Sequence, residues 1–180
     1  MTAFIVELHR SPSYSFSKER VSELVLVAGM GVEGDAHFGA TVKHRSRVAA
    51  DPSQPNLRQV HLLQAELLDE LRGAGFAVVP GDLGENITTR GVDLLSLSTG
   101  TTLRLGEDVL LAVTGLRNPC RQIEDFESGL LQRVLVRDGD GRIVRRAGVM
   151  AVVVRGGAIA EADLIQVQTP PGPHLPLEPV

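Results

Sequence analysis

The sequence predicts a mainly β (α+β) domain, folded as a closed or partly closed β-barrel with a few short helices. Short runs rich in valine, leucine and isoleucine recur along the chain, glycine-containing turns separate them, and one stretch has a convincing helical pattern. The chain of 180 residues is long enough to close one core without a disulfide. We assign residues 1–168 to this domain and residues 169–180 to a proline-rich tail that is extended or disordered.

The predicted strands follow from apolar runs bounded by turn residues. They span residues 4–8, 20–28, 58–63, 87–89, 101–105, 109–113, 134–137, 142–144, 149–154 and 164–167. Residues 64–73 predict a helix, because Leu67, Leu68 and Leu71 recur at helical spacing. Residues 126–136 are a weaker helix candidate. The Asp-Gly pairs within residues 138–141 indicate a hairpin turn.

Composition excludes several functional classes. A net charge of −4 and 3% aromatic residues, with no tryptophan, argue against a nucleic-acid binder. The first residues lack the basic and apolar regions of a signal peptide, and no run of about 18 apolar residues occurs. One cysteine forms no internal disulfide, which suits a reducing compartment. We therefore expect a cytoplasmic protein without a membrane or nucleic-acid partner.

The segment 114–121 is the first candidate site. It contains Cys120, the only cysteine of the chain, just past an apolar strand, and its glycine, asparagine and proline predict a turn that includes Gly115. Arg117 and Arg121 flank the cysteine, and nearby positive charge favours a reactive thiolate. The alternative is a buried cysteine that acts as a small apolar filler.

A glycine-rich segment, residues 31–39, is the second candidate. Its glycines indicate a backbone shaped for close approach, and its polar residues include Asp35 and His37. Its spacing fits neither a dinucleotide-binding nor a phosphate-loop motif. Residues 41–55 follow as a basic, proline-containing loop, which is either solvated or one wall of an anion site.

Two further groups precede and follow the predicted helix. His61 lies on an apolar strand, where a hydrogen-bonded core histidine is the usual alternative to a ligand. The glycine turn before the strand at 87–89 presents Glu85 and Asn86, which either bind a ligand or stabilise the turn itself.

Together, residues 31–39, residues 81–86 and the Cys120 turn resemble the motifs of MOSC domains, named for the C-terminal domain of molybdenum cofactor sulfurase. The resemblance is closest to small stand-alone bacterial members of the YiiM type, and it extends from about residue 4 to residue 168. Further segments with counterparts there are residues 10–12, 16–19 and 41–47.

The resemblance implies a β-rich barrel of MOSC type that binds a molybdenum cofactor, a pterin dithiolene with a phosphate. It also implies that Cys120 is a metal ligand or a sulfur carrier. The expected phosphate ligands are Lys43, Arg45, Arg47, Arg58 and Arg117. The expected pterin ligands are Glu85, Asn86 and Asn118, with Gly34 and Asp35 of the glycine-rich segment in the same site.

By the same resemblance, the expected activity is reduction of N-hydroxylated bases or amidoximes at a Cys120-ligated molybdenum. His37 or His61 would deliver the proton, since imidazole titrates near neutral pH. Electrons would come from a separate donor protein, and base rates favour a homodimer. The alternatives are a sulfur carrier with a Cys120 persulfide and a non-catalytic module that binds or transfers the cofactor.

Overall fold

A computed structural model describes residues 2–43 and 45–180, but not the side chains of residues 45–47. Its strands are β1 (Phe4–Arg10), β2 (Glu19–Val21), β3 (Glu23–Val27), β4 (Gly31–Val32), β5 (Val60–Gln64), β6 (Ile87–Arg90), β7 (Thr102–Leu105), β8 (Val109–Leu116), β9 (Leu135–Arg137), β10 (Ile143–Arg145), β11 (Val149–Arg155), β12 (Gly157–Ala160) and β13 (Ile165–Gln168). Its α-helices are α1 (Arg45–Ala50), α2 (Ala65–Gly73), α3 (Arg121–Phe126) and α4 (Leu130–Val134), and a 3₁₀ turn covers Leu94–Ser96. The predicted mainly β class is confirmed.

The strands form one large sheet and two small ones. The large sheet has eight strands in the order β13-β7-β8-β11-β5-β6-β1-β2, and the smaller sheets have the orders β12-β3-β4 and β10-β9. In the large sheet, β5 and β6 are parallel, because α2 provides the crossover that a parallel pair requires. The other neighbours pair antiparallel.

The predicted closed barrel is not confirmed. Within the described residues, an isolated bridge between Phe4 and Leu164 joins β1 to the residue before β13. The amide of Ile165 also donates a 2.9 Å hydrogen bond to the carbonyl of Ala3. These contacts do not extend into a strand ladder, so the large sheet has an open order.

Strand β5 is buried on both faces, because the core lies in two parts. Val60 and Leu62 belong to the main core, whereas Leu63 belongs to a second cluster that includes the inner faces of α2, α3 and α4. Strand alternation therefore directs His61 to the same side as Leu63. Strand β5 therefore places the imidazole of His61 at the border between the sheet and the helices.

Several predicted elements differ from the structure, and the single strand predicted over residues 20–28 is divided into β2 and β3. The loop predicted over residues 41–55 contains α1, which ends before Asp51 because the following proline disfavours helical backbone there. The helix predicted over residues 126–136 is replaced by α3, α4 and β9, with Gly129 at a positive φ of 85° between the two helices.

Gly115 does not form a turn. It lies within β8 and pairs with Met150 of β11, so the strand continues three residues past the predicted end at Val113 and into the segment before Cys120. Among the described residues, no helix is long and apolar enough to cross a membrane.

Candidate functional site

A cavity of about 430 Å³ is lined by residues that follow β8, by residues at and before the start of β5, and by His37 of the glycine-rich segment. It brings together eight of the side chains that the sequence selected. These are His37, Lys43, Arg58, His61, Asn86, Arg117, Asn118 and Cys120. They come from segments far apart in the chain, so the cavity is assembled only by the complete fold.

The remaining predicted site residues lie elsewhere. Gly34 is exposed beside Arg10, whereas Asp35 and Glu85 are buried behind the cavity wall. The backbones of Arg45 and Arg47 belong to α1, but their side chains lie outside the described part of the chain, as does His44.

Asp35 accepts hydrogen bonds from four residues around the cavity. Its Oδ2 accepts from Lys18 Nζ at 2.7 Å, Asn86 Nδ2 at 3.0 Å and the Ser11 amide at 3.3 Å. Its Oδ1 accepts from the amide of His37 at 3.0 Å and lies 3.1 Å from His37 Nδ1. A ligand role for Asp35 was expected from the sequence, whereas its bonds in the structure orient residues that line the cavity.

Lys18 is a cavity residue that sequence reasoning missed. Its side chain is 6% exposed and forms an ion pair with Asp35, whose side chain is 2% exposed. Burial by itself raises the pKa of Asp35, but hydrogen bonding by His37 and the charge of Lys18 outweigh it, so this pKa lies well below its ordinary value. Burial also lowers the pKa of Lys18, and the Asp35 carboxylate opposes that shift.

The turn before β6 holds Asn86 against three other segments. Its Oδ1 accepts from the amide of His61 at 3.1 Å, and its Nδ2 donates to the carbonyl of His9 at 3.1 Å as well as to Asp35. Both amide protons are therefore used within the protein, and Oδ1, which accepts one bond, has the capacity for a second.

Glu85 is fully buried beside this turn. Its Oε1 accepts from the amide of Gly81 at 2.7 Å and from Thr88 Oγ1 at 3.0 Å. Gly84, immediately before Glu85 in the same turn, has a φ of 82°, and a Cβ there would lie 2.6 Å from the Phe16 carbonyl oxygen. Glycine is thus required to bring the two loops together at the cavity.

The two histidines that line the cavity have different surroundings. His61 is buried, and its Nε2 lies 2.8 Å from the carbonyl oxygen of Ala147. Burial, assisted by the charge of Arg117, places the pKa of His61 well below its ordinary value, so this imidazole is neutral near pH 7. The His37 side chain is instead 30% exposed, with Nδ1 toward Asp35 and its ring edge-on to Tyr14 at 5.5 Å.

Arg117 provides a buried positive charge in the cavity wall. The residue is 8% exposed, and its Nη1 has no hydrogen-bond partner within the described part of the chain. Its guanidinium carbon lies 5.8 Å from the centre of the Phe16 ring. Burial lowers the pKa of Arg117, while the nearby Cys120 and Glu85 act to raise it.

Cys120 is half-buried at the cavity, immediately before α3. Its Sγ lies 3.5 Å from Gln122 Oε1. The sequence suggested that arginines on both sides act on the thiol, but the Arg121 side chain is 91% exposed and contacts Asp125. Of the two, only Arg117 lines the cavity with Cys120.

Other polar groups complete the wall. Asn118 Oδ1 accepts from Arg145 Nε at 3.0 Å, which ties the cavity rim to β10. Asn56, which sequence reasoning did not select, donates through Nδ2 to the carbonyls of His37 and Gly39 at 2.9 Å each. Among the described residues, no group of three or more His, Cys, Asp or Glu side chains could hold a metal ion.

The buried pair of Asp35 and Lys18 gives a prediction about stability. Asp35→Asn should lower the free energy of unfolding at pH 7 by about 3 kcal/mol, because it leaves a buried ammonium without its counter-charge. Because the folded pKa of Asp35 is depressed, its contribution exists above about pH 4 and is lost as the pH falls toward the folded value. The difference between native protein and variant should therefore shrink below about pH 4 in urea titrations.

Two variants control this measurement. The double variant Lys18→Met, Asp35→Asn should recover part of the loss, because it also removes the unpaired charge. Asp125→Asn at the exposed Arg121 pair should change stability by less than about 0.5 kcal/mol. Equal effects of Asp35→Asn and Asp125→Asn would contradict the assigned role of Asp35.

Comparison with known proteins identifies the family. The MOSC domain model matches residues 33–166. The structure resembles the YuaD protein from Bacillus subtilis, with 27% identity, a TM-score of 0.77, and coverage of 94% of this chain and 97% of that one. Searches of curated proteins gave no match.

Two YiiM proteins have similar folds at lower identity. For YiiM from Escherichia coli the identity is 21% and the TM-score 0.62, with 97% of this chain and 74% of that chain covered. For YiiM from Geobacillus stearothermophilus the values are 17% and 0.66, with coverage of 97% and 79%. Because the family model spans well over half of the chain, the protein belongs to the MOSC domain family, and its fold is shared with the YiiM proteins.

Proposed function

We propose that the cavity binds a molybdenum cofactor, with Cys120 as the protein ligand of the metal, and that the protein reduces N-hydroxylated compounds. The MOSC family is associated with this cofactor. The observation that supports the proposal most is the presence of a thiol and a buried, incompletely bonded guanidinium in one cavity, at Cys120 and Arg117.

The charges of the cavity suit the phosphate of such a cofactor. Lys43, Arg58 and Arg117 line it, and the ammonium of Lys18, which also lines it, forms an ion pair with Asp35. Arginine can bind a phosphate through two parallel hydrogen bonds, and such bonds are stronger in a buried site. Arg45 and Arg47 remain proposed ligands because they follow Lys43 closely in sequence.

The thiol of Cys120 suits a metal whose other ligands include dithiolene sulfurs, because thiolates are soft ligands. The free acceptor site of Asn86 and the amide of Asn118 at the rim are available to a pterin ring. Glu85 is behind the wall and would act on a pterin only through the turn that it stabilises. The residues present therefore fit the group.

Reduction of an N–OH group to N–H consumes two electrons and two protons and releases water. The bound cofactor would supply the two-electron chemistry, with electrons from a separate donor protein. His37 is our proposed proton donor at its Nε2, since Nδ1 lies against the Asp35 carboxylate and the ring is partly exposed to solvent. His61, buried and bonded to Ala147, is suited to shaping the wall.

A comparison of native protein and Cys120→Ala tests the metal assignment. Both proteins are purified from a host that makes molybdenum cofactor, then analysed for molybdenum and for the fluorescence of oxidised pterin. The molybdenum-to-pterin ratio should fall in the variant, because it lacks the thiolate ligand. An equal ratio in both proteins would overturn the ligand role, and an extra sulfur on Cys120 without bound pterin would favour the sulfur carrier.

Arg117→Met tests the anion site separately from folding. Pterin retained after gel filtration should fall by at least about tenfold, because charged hydrogen bonds to a phosphate are lost. The free energy of unfolding without cofactor should stay equal or increase, since the variant removes a buried charge. Arg121→Met, at an exposed position, should change neither quantity. Reduced stability with full pterin retention would indicate a structural role for Arg117.

Activity with a chemical reductant and benzamidoxime tests the proton donor. His37→Asn should lower kcat by roughly a hundredfold per bound molybdenum, the scale of general-acid catalysis, with the molybdenum content unchanged. His174→Asn, at an exposed position outside the cavity, serves as the control. A kcat within twofold of native for His37→Asn would remove His37 from the reaction.

A further inference from the structure

The proline-rich tail is docked on the domain by specific hydrogen bonds. The amide of Leu175 donates to Ser98 Oγ at 2.9 Å. The Leu175 carbonyl in turn accepts from the Thr99 amide at 2.9 Å. This part of the chain lies beyond residues 33–166, which match the family model.

The last residues of the tail continue along the end of β8. The Leu116 amide donates to the Glu178 carbonyl at 2.9 Å, and the Val180 amide donates to the Leu116 carbonyl at 3.3 Å. The side chain of Leu177 is buried in the main core at 7% exposure. Main-chain bonds and an apolar anchor therefore hold residues 175–180, hereafter the C-terminal segment.

Gly115 makes this docking possible. A Cβ at this position would lie 2.3 Å from the Glu178 carbonyl oxygen and 2.6 Å from Val180 Cγ1. Since both distances are far below contact distance, any side chain at this position would displace the C-terminal segment or the strand. The glycine is explained by the segment that crosses it.

The C-terminal segment reaches the cavity. Val180 is one of the residues that line it, together with Cys120, Arg117 and Met150. The cavity wall on this side thus includes Val180, whose amide is bonded to Leu116, one residue before Arg117, and whose Cγ atoms lie against Gly115.

We propose that the C-terminal segment limits the size of the molecules that reach Cys120, with Val180 as the residue that sets this limit. A smaller or larger side chain at this lining position changes the space beside Cys120, because the Glu178 carbonyl and the Val180 amide hold the backbone of the segment against Leu116. The proposal rests on the cavity alone and requires no bound cofactor.

Alkylation of the single cysteine measures this limit directly in the cofactor-free full-length chain. Rates are compared for iodoacetamide, which is small, and for fluorescein maleimide, which is bulky. Relative to the small reagent, Val180→Ala should raise the rate of the bulky one at least about threefold, and Val180→Trp should lower it by a similar factor, since reactivity follows access to the thiol. Leu175→Ala is the matched control, because its side chain in the same segment is 56% exposed and does not line the cavity.

Gly115→Ala provides a second test that leaves the tail sequence intact. It should displace the C-terminal segment and raise the relative rate of the bulky reagent, while urea titration verifies that the domain remains folded. A rate ratio that is unchanged in Val180→Ala and Val180→Trp, or that Leu175→Ala alters equally, would overturn the proposal. Neither result depends on molybdenum or pterin content, so the cofactor proposal is tested independently.

Discussion

The carboxylate of Asp35 is the contact on which the shape of the cavity depends. It joins the end of β1 through Ser11, the following loop through Lys18, the glycine-rich segment through His37 and the turn before β6 through Asn86. Ionising a carboxyl group in such a buried place is unfavourable unless hydrogen bonds and an opposite charge compensate it, and here both do. Four segments are thereby fixed by one charge.

Strand β5 imposes the second constraint. Because its two faces belong to different parts of the core, one residue, His61, is held at the border between them. Gly148, immediately before the neighbouring strand β11, has a φ of 90°, and a Cβ there would lie 2.2 Å from the Leu62 carbonyl oxygen and 2.9 Å from His61 Nε2. The imidazole, its acceptor at Ala147 and this glycine therefore form one closely packed unit of the wall.

How much of the site the sequence predicts depends on how far apart along the chain the contacting residues lie. The alternation in β5 and the apolar spacing in α2 are local, so the orientation of His61 and the buried face of the helix could be predicted. The pairing of Lys18 with Asp35 depends on two loops folding together, and a lone lysine in a polar stretch gives no indication of it. The same limit explains why Arg117 and Arg121, equivalent in sequence, differ in burial, and why the tail was not expected to line the cavity.

Two buried cations of the cavity wall differ in one respect that bears on function. Lys18 has a carboxylate at 2.7 Å, so its charge is neutralised within the protein. Arg117 is buried to a similar degree, yet within the described residues its Nη1 lacks a partner. An unpaired buried charge lowers stability, and such local conflicts concentrate at functional sites. The pairing of Lys18 with Asp35 maintains the cavity, whereas the Nη1 of Arg117 is the hydrogen-bond donor that we propose for an anionic ligand beside Cys120.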